Sequence, residues 1–231
     1  MKLIKTLISL LFITLLSSPS WSEVLSMDYL VKRNETYYKK FSNIPFDGII
    51  NKISKEDWWH TDKPVTVLSI TTFLDGKVTK EQIFHDDFLF EESNFKDGKL
   101  HGTQKTSHYF FAKSKDSTEV TITYNNGILD GLNEQFYENG NLKFEGFYKA
   151  GNKNGLWKVY HPNGMLWSSG YYKDGKKINL WKTFHDNGVV NTSKNYSNTG
   201  IKSGSWKFYD TQGKLTKTQV WENGKLIEVI K

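Results

Sequence analysis

GLWKVYHPNGMLWSSGYYKDGKKI, residues 155–178, decides the fold. Trp157-Lys158-Val159-Tyr160 alternates faces and is rich in β-favouring residues, as a strand is. His161-Pro162-Asn163-Gly164 follows, and Asn-Gly between two such runs signals a hairpin because both residues tolerate positive φ. The return run Leu166–Tyr172 puts Leu166, Ser168, Gly170 and Tyr172 on one side and Trp167, Ser169 and Tyr171 on the other. Lys173-Asp174-Gly175-Lys176 then turns the chain again.

Outward from this stretch the same pattern recurs. Trp157, Trp181 and Trp206 lie 24 and 25 residues apart, each followed by a lysine and then an aromatic: Tyr160, Phe184, and Phe208 with Tyr209. Gly140, Gly164, Gly188 and Gly213 form a second series, and Gly151, Gly175, Gly200 and Gly224 a third. Several position types sharing one period mark a stack of copied units. The successive copies are Gly131–Asn154, Gly155–Ile178, Asn179–Ser203 and Gly204–Leu226, the third with an extra residue near Gly200–Ser203. Asn133 stands where the other copies have Trp. On the Leu166 side an apolar start and an aromatic end persist while the middle varies, which predicts packing at the two ends. Glycines every 11 to 13 residues leave no room for helices of ordinary length. The expected fold is therefore all-β, an elongated solenoid of antiparallel β-hairpin repeats of about 24 residues each.

Earlier residues keep part of the pattern. Phe95–Gly102 and Tyr124–Gly131 match Tyr148–Gly155, while Phe73–Lys77 is a weaker copy. Residues 23–130 thus read as an N-terminal cap with irregular hairpins, and 131–231 as four regular repeats. Val24, Leu25, Met27, Leu30 and Val31 have helical spacing and predict a short capping helix within Glu23–Lys32.

Residues 1–22 carry Lys2 and Lys5, an apolar run from Leu7 to Leu16, and Ser20-Trp21-Ser22 before Glu23. A basic start, a short apolar core and a small-x-small site are the parts of a secretory signal peptide cleaved between Ser22 and Glu23. The run is shorter than the roughly 20 residues that span a bilayer. The expected location is exported, periplasmic or secreted. The chain has no cysteine, which excludes disulfides, thiolate metal sites and a cysteine nucleophile.

Charge is uneven: Glu23–Asp130 is −3, whereas Gly131–Lys231, with 15 basic and 8 acidic residues, is +7. A basic half could attract nucleic acid, anionic lipid or an acidic protein, but dispersed lysines alternating along strands are expected to form a solvated face. Arg33 is the sole arginine, so base-reading and bidentate phosphate contacts are not expected, and nucleic acid is not an expected partner.

The motif Gly-x-Trp-Lys-x-Tyr/Phe-x-x-x-Gly-x-Leu, followed by Tyr-x-x-Gly-x-x-x-Gly, resembles the bacterial variant of the MORN repeat over Gly131–Leu226. That family includes proteins labelled YwqK-like antitoxins, and the opening Leu30–Gly48 is similar to theirs. The resemblance implies a β-hairpin repeat fold without known catalysis, and the label implies binding and neutralising a toxin protein.

No catalytic, cofactor or metal residues are expected. His161 and His185 share one repeat position beside a turn, and His60, His85, His101 and His108 lack ligand-like spacing. Asp86-Asp87 and Glu91-Glu92 are strand neighbours that point to opposite faces, so neither pair makes a two-carboxylate site. The aromatics Trp157, Trp181, Trp206, Tyr160, Phe184 and Tyr209 carry two readings: a shared repeat core, or a ladder facing a groove. Three functions remain open: a non-enzymatic scaffold binding another protein, a module for cell-envelope glycan or lipid, and a toxin-neutralising protein. The oligomeric state is not readable.

Overall fold

The computed structural model describes residues 23–56, 65–86, 88–107 and 118–231. Residues 1–22, Trp58-Trp59, His60, Asp87 and His108 lie outside these. The chain divides into two compact units, residues 1–109 and 110–231. Both are built almost entirely from antiparallel strands, and the all-β hairpin fold is observed.

In the first unit the expected helix is absent. Glu23–Leu25 is a strand, β1, whose backbone pairs in parallel with Gly48–Ile50. A single 3-10 turn, Met27–Tyr29, follows, with the Ser26 hydroxyl accepting from the Asp28 N–H. Leu30–Arg33 (β2) and Thr36–Lys39 (β3) then form a hairpin. Helical spacing across so few residues yields to the ladder and to burial of Leu30. Strands β4 (Gly48–Glu56), β5 (Val65–Leu74), β6 (Lys77–His85) and β7 (Phe88–Lys96) run as an antiparallel meander. Short strands β8 (Lys99–Leu100) and β9 (Gly102–Ser107) pair back onto β7. Leu30, Phe46, Ile50 and Phe73 form the core, with Leu25, Tyr37 and Val78 against it.

The second unit is one meander of ten strands: β10 (Thr118–Asn125), β11 (Ile128–Phe136), β12 (Leu142–Lys149), β13 (Asn152–Tyr160), β14 (Leu166–Lys173), β15 (Lys176–Phe184), β16 (Val190–Tyr196), β17 (Gly204–Tyr209), β18 (Leu215–Glu222) and β19 (Lys225–Ile230). Each pairs antiparallel with the next.

Two turn types alternate, and they differ from the expectation. At Asn163-Gly164 only the glycine takes positive φ, +85°; the Gly164 N–H donates to His161 O, 2.9 Å, and the His161 N–H to Met165 O, 2.7 Å. This is a three-residue loop with the glycine at its bulge position, not a two-residue turn. Asn163 acts through its side chain, whose Oδ1 accepts from Met165 N–H at 2.9 Å. The two-residue turn with both central φ positive occurs instead at Asp174-Gly175, φ +49° and +79°. The extra residue near Gly200 has a physical account. Ser197–Ile201 adopts the three-residue form, with Gly200 N–H to Ser197 O and Ser197 N–H to Ile201 O, and so lengthens the period from 24 to 25.

Candidate functional site

The two faces of the sheet in the second unit differ in chemistry, and the tryptophans organise one of them. Trp157, Trp181 and Trp206 are 4%, 6% and 7% exposed. Trp157 lies over Gly146, and Trp181 over Gly170; a Cβ at either glycine would collide with the indole. Ser168 and Thr192 are buried on the same face. The middle of the return strands β12 and β14 therefore packs, and not only their ends, because a glycine there makes room for the ring. The ladders β12–β13 and β14–β15 break register opposite these glycines. There the indole N–H of Trp157 donates to Phe147 O at 3.1 Å and that of Trp181 to Tyr171 O at 3.0 Å; on β16 the Asn195 carbonyl accepts from Trp206 at 2.8 Å and from the Ser203 N–H at 3.1 Å. Each indole N–H thus caps a main-chain carbonyl of the neighbouring strand.

Tyr148 and Tyr172 meet Trp157 and Trp181 edge-on, at 87° and 76°. Trp206 is different. Lys194 takes the place of the glycine, and Trp206 meets Tyr196 at 51° and Trp221 at 41°. Asn133, in the tryptophan position of the first copy, is buried with its Oδ1 lacking a hydrogen-bond partner.

Lysines close over these rings. Lys153 Nζ sits 4.2 Å from the Trp157 ring centre, Lys177 4.3 Å from Trp181, and Lys202 5.0 Å from Trp206 and 4.1 Å from Trp221. Ammonium groups at this range are attracted to the ring face. The repeat motif marks the lysine beside each tryptophan and not these three. The available signal was their own recurrence at 24 and 25 residues.

The lysines beside the tryptophans point the other way. On that opposite face Lys158 pairs with Glu145 at 2.9 Å, and Tyr160 Oη donates to the same Oε1 at 2.8 Å. The Lys158 and Tyr160 contacts hold the Glu145 carboxyl below the usual glutamate range against the opposing effect of burial. The same face carries Phe147, Leu156, Tyr171 and Leu180, exposed on four consecutive strands.

Tyr160, Phe184 and Tyr209 share a backbone role. Tyr137 Oη donates to Tyr160 O at 2.8 Å, His161 Nε2 reaches Phe184 O at 3.5 Å, and His185 Nε2 reaches Tyr209 O at 3.1 Å. A carbonyl can only accept, so the proton is on Nε2. The turns tie similarly: the side-chain amides of Asn139, Asn163 and Asn187 donate to Pro162 O, Asp186 O and Thr211 O. At the other edge Gly151, Gly175 and Gly224 N–H donate to Leu129, Lys153 and Lys202 carbonyls. Gly140, Gly164, Gly188 and Gly213, with φ from +82° to +85°, shape the loops that carry the first set of ties.

In the first unit Glu91 accepts from Ser93 and Gln104, and Glu92 pairs with Lys80 at 2.9 Å. Asp86 accepts from the Thr66 N–H. Among the described residues no three His, Asp or Glu side chains are grouped to hold a metal ion, and no helix is long and apolar enough to cross a membrane.

Residues 129–150 and 153–174 match a family model described as MORN repeat variant. Each match covers one hairpin, β11–β12 and β13–β14. No curated protein matches this chain.

Proposed function

We propose that this chain is an exported, non-enzymatic scaffold that binds another protein through its repeat sheet. The observation that carries the reading is the strip Phe147, Leu156, Tyr171 and Leu180, exposed side by side on β12 to β15. Contiguous apolar surface in a repeat array is costly to leave in water and is the usual chemistry of a protein contact. Ties between repeats at both edges of the hairpins support a preordered surface, which lowers the entropy lost on binding. The MORN-type repeats agree with a binding role.

A photo-crosslinking residue placed at Tyr171 or Leu180, in the intact chain within the exporting cell, tests this. Recurrent crosslinking to one protein, lost on Leu156→Glu, supports it. Crosslinks only to lipid or glycan would replace it with envelope binding. Export predicts a mature chain starting at Glu23 in the periplasm or medium. Toxin neutralisation is one form of this binding, and growth rescue on co-expression with a neighbouring toxin gene would identify it.

A further inference from the structure

We propose that the tryptophan face docks an extended acidic segment of a partner polypeptide, its carboxylates meeting Lys153, Lys177 and Lys202 in turn, with Lys194 and Lys217 beside them. This deepens the protein-binding reading and concerns the face opposite the apolar strip.

Charge is the first observation. Lys194 Nζ lies 5.3 Å from the Trp206 ring and 5.5 Å from Phe208, and Lys217 Nζ 4.1 Å from Phe208. With Lys153, Lys177 and Lys202 they give five cations on one face. The strand acids of the region fall on the other face: Glu145 opposite Lys158, Glu134 opposite Glu145, Glu228 opposite Val220, and Glu222 next to the inward Trp221. Among the described residues no carboxylate pairs with any of the five lysines. Burial, and then the charges of Lys194 and Lys153, hold the Lys177 amine below its ordinary range; burial and then Lys202 and Lys217 do the same for Lys194. The five amines therefore act as one positive field whose counter-charge no described residue supplies. An anionic ligand would relieve that repulsion.

Spacing is the second observation. Lys153, Lys177 and Lys202 belong to every second strand or the turn leading into it, so the interval is about two strand spacings, roughly 9.5 Å. A polyproline II segment advances about 3.1 Å per residue with three residues per turn, which places every third side chain on one side at about 9.3 Å intervals. Acids at i, i+3 and i+6 of such a segment match the lysine row.

The same geometry disfavours other anions. Sugar binding uses open aromatic faces, whereas these indoles are 4–7% exposed and already capped by ammonium groups. A lipid surface favours an exposed apolar wedge, and the exposed Phe147 and Tyr171 belong to the other face. Lysine point charges lack the bidentate fork that favours phosphate.

The test is fluorescence anisotropy of the full chain with two labelled peptides of equal composition, Glu-Pro-Pro-Glu-Pro-Pro-Glu-Pro-Pro-Glu and one with its four glutamates contiguous. The periodic peptide is expected to bind about tenfold more tightly and to weaken with salt. Lys153→Gln/Lys177→Gln/Lys202→Gln should weaken it about tenfold, and Lys177→Gln alone measurably, while Lys182→Gln/Lys207→Gln on the other face leaves it within about twofold. Circular dichroism confirms that each variant is folded. Equal affinity for the contiguous peptide, no response to the lysine changes, or tighter binding to phosphatidylserine vesicles or polyuridylate would each overturn the proposal. Crosslinking at Tyr171 that survives such a result leaves the scaffold reading standing.

Discussion

The indole of Trp181 lies on the bare backbone of Gly170, so closely that a single methyl group there would fall inside the ring's van der Waals envelope. Trp157 and Gly146 repeat the relationship one hairpin earlier. Gly170 does not adopt positive φ, so its requirement is for space rather than backbone freedom.

Gly170→Ala should therefore destabilise the second unit by about 1–3 kcal/mol, the usual cost of overpacking. Urea unfolding followed by tryptophan emission measures it. Gly164→Ala acts by another route, backbone strain at φ +85°, and should leave the Trp181 environment unchanged.

Trp181→Phe keeps an aromatic but removes the donor to Tyr171 O. The carbonyl loses its indole donor and the smaller ring leaves a gap, for an expected loss of about 2–3 kcal/mol. A loss no larger than that of an exposed Trp167→Phe control would count against the core role.

Deleting Thr199 should convert the Ser197–Ile201 loop into a two-residue Asn-Gly turn and restore the 24-residue period. Stability should change by no more than about 1 kcal/mol, since one residue of loop length costs little. Deleting Asp174 removes a residue from a turn already at minimum length, shifts the strand register and exposes the Trp181 side of the sheet. Red-shifted tryptophan emission in the second deletion alone is the expected readout.

The Glu145 carboxyl is held low chiefly by the hydrogen bond from Lys158 and also by Tyr160. A depressed carboxylate stabilises the fold above its unfolded value, and that stability is lost as pH falls through the folded value. The difference in unfolding midpoint between wild type and Glu145→Gln should thus be present at neutral pH and vanish in acid, below the ordinary glutamate range. A difference constant from neutral to acid would show that the Lys158 contact is not its source.

The turn ties explain why the histidines recur. His161 and His185 reach carbonyls 23 and 24 residues ahead, and Tyr137 fills the same role with a hydroxyl. Duplication alone accounts for their spacing, but the contact they make is between repeats. Such a contact is invisible when each copy is read separately.

Period, hairpin units and the β class followed from the sequence alone, because alternation of side chains and the placement of turn glycines are local properties. The turn geometry did not. Asn163-Gly164 satisfies the composition of a two-residue turn, yet the loop closes over three residues because the Asn163 side chain bonds Met165 N–H and Asp186 O instead. The helix expected within Glu23–Lys32 failed for a related reason: pairing with Gly48–Ile50 is long-range, and a short helical spacing cannot report it. Which face holds the tryptophans, and that Lys153, Lys177 and Lys202 close over them, was decided only by the tertiary structure. Burial of an indole depends on a glycine in the neighbouring strand, and the charge of a face depends on where acids from other strands fall.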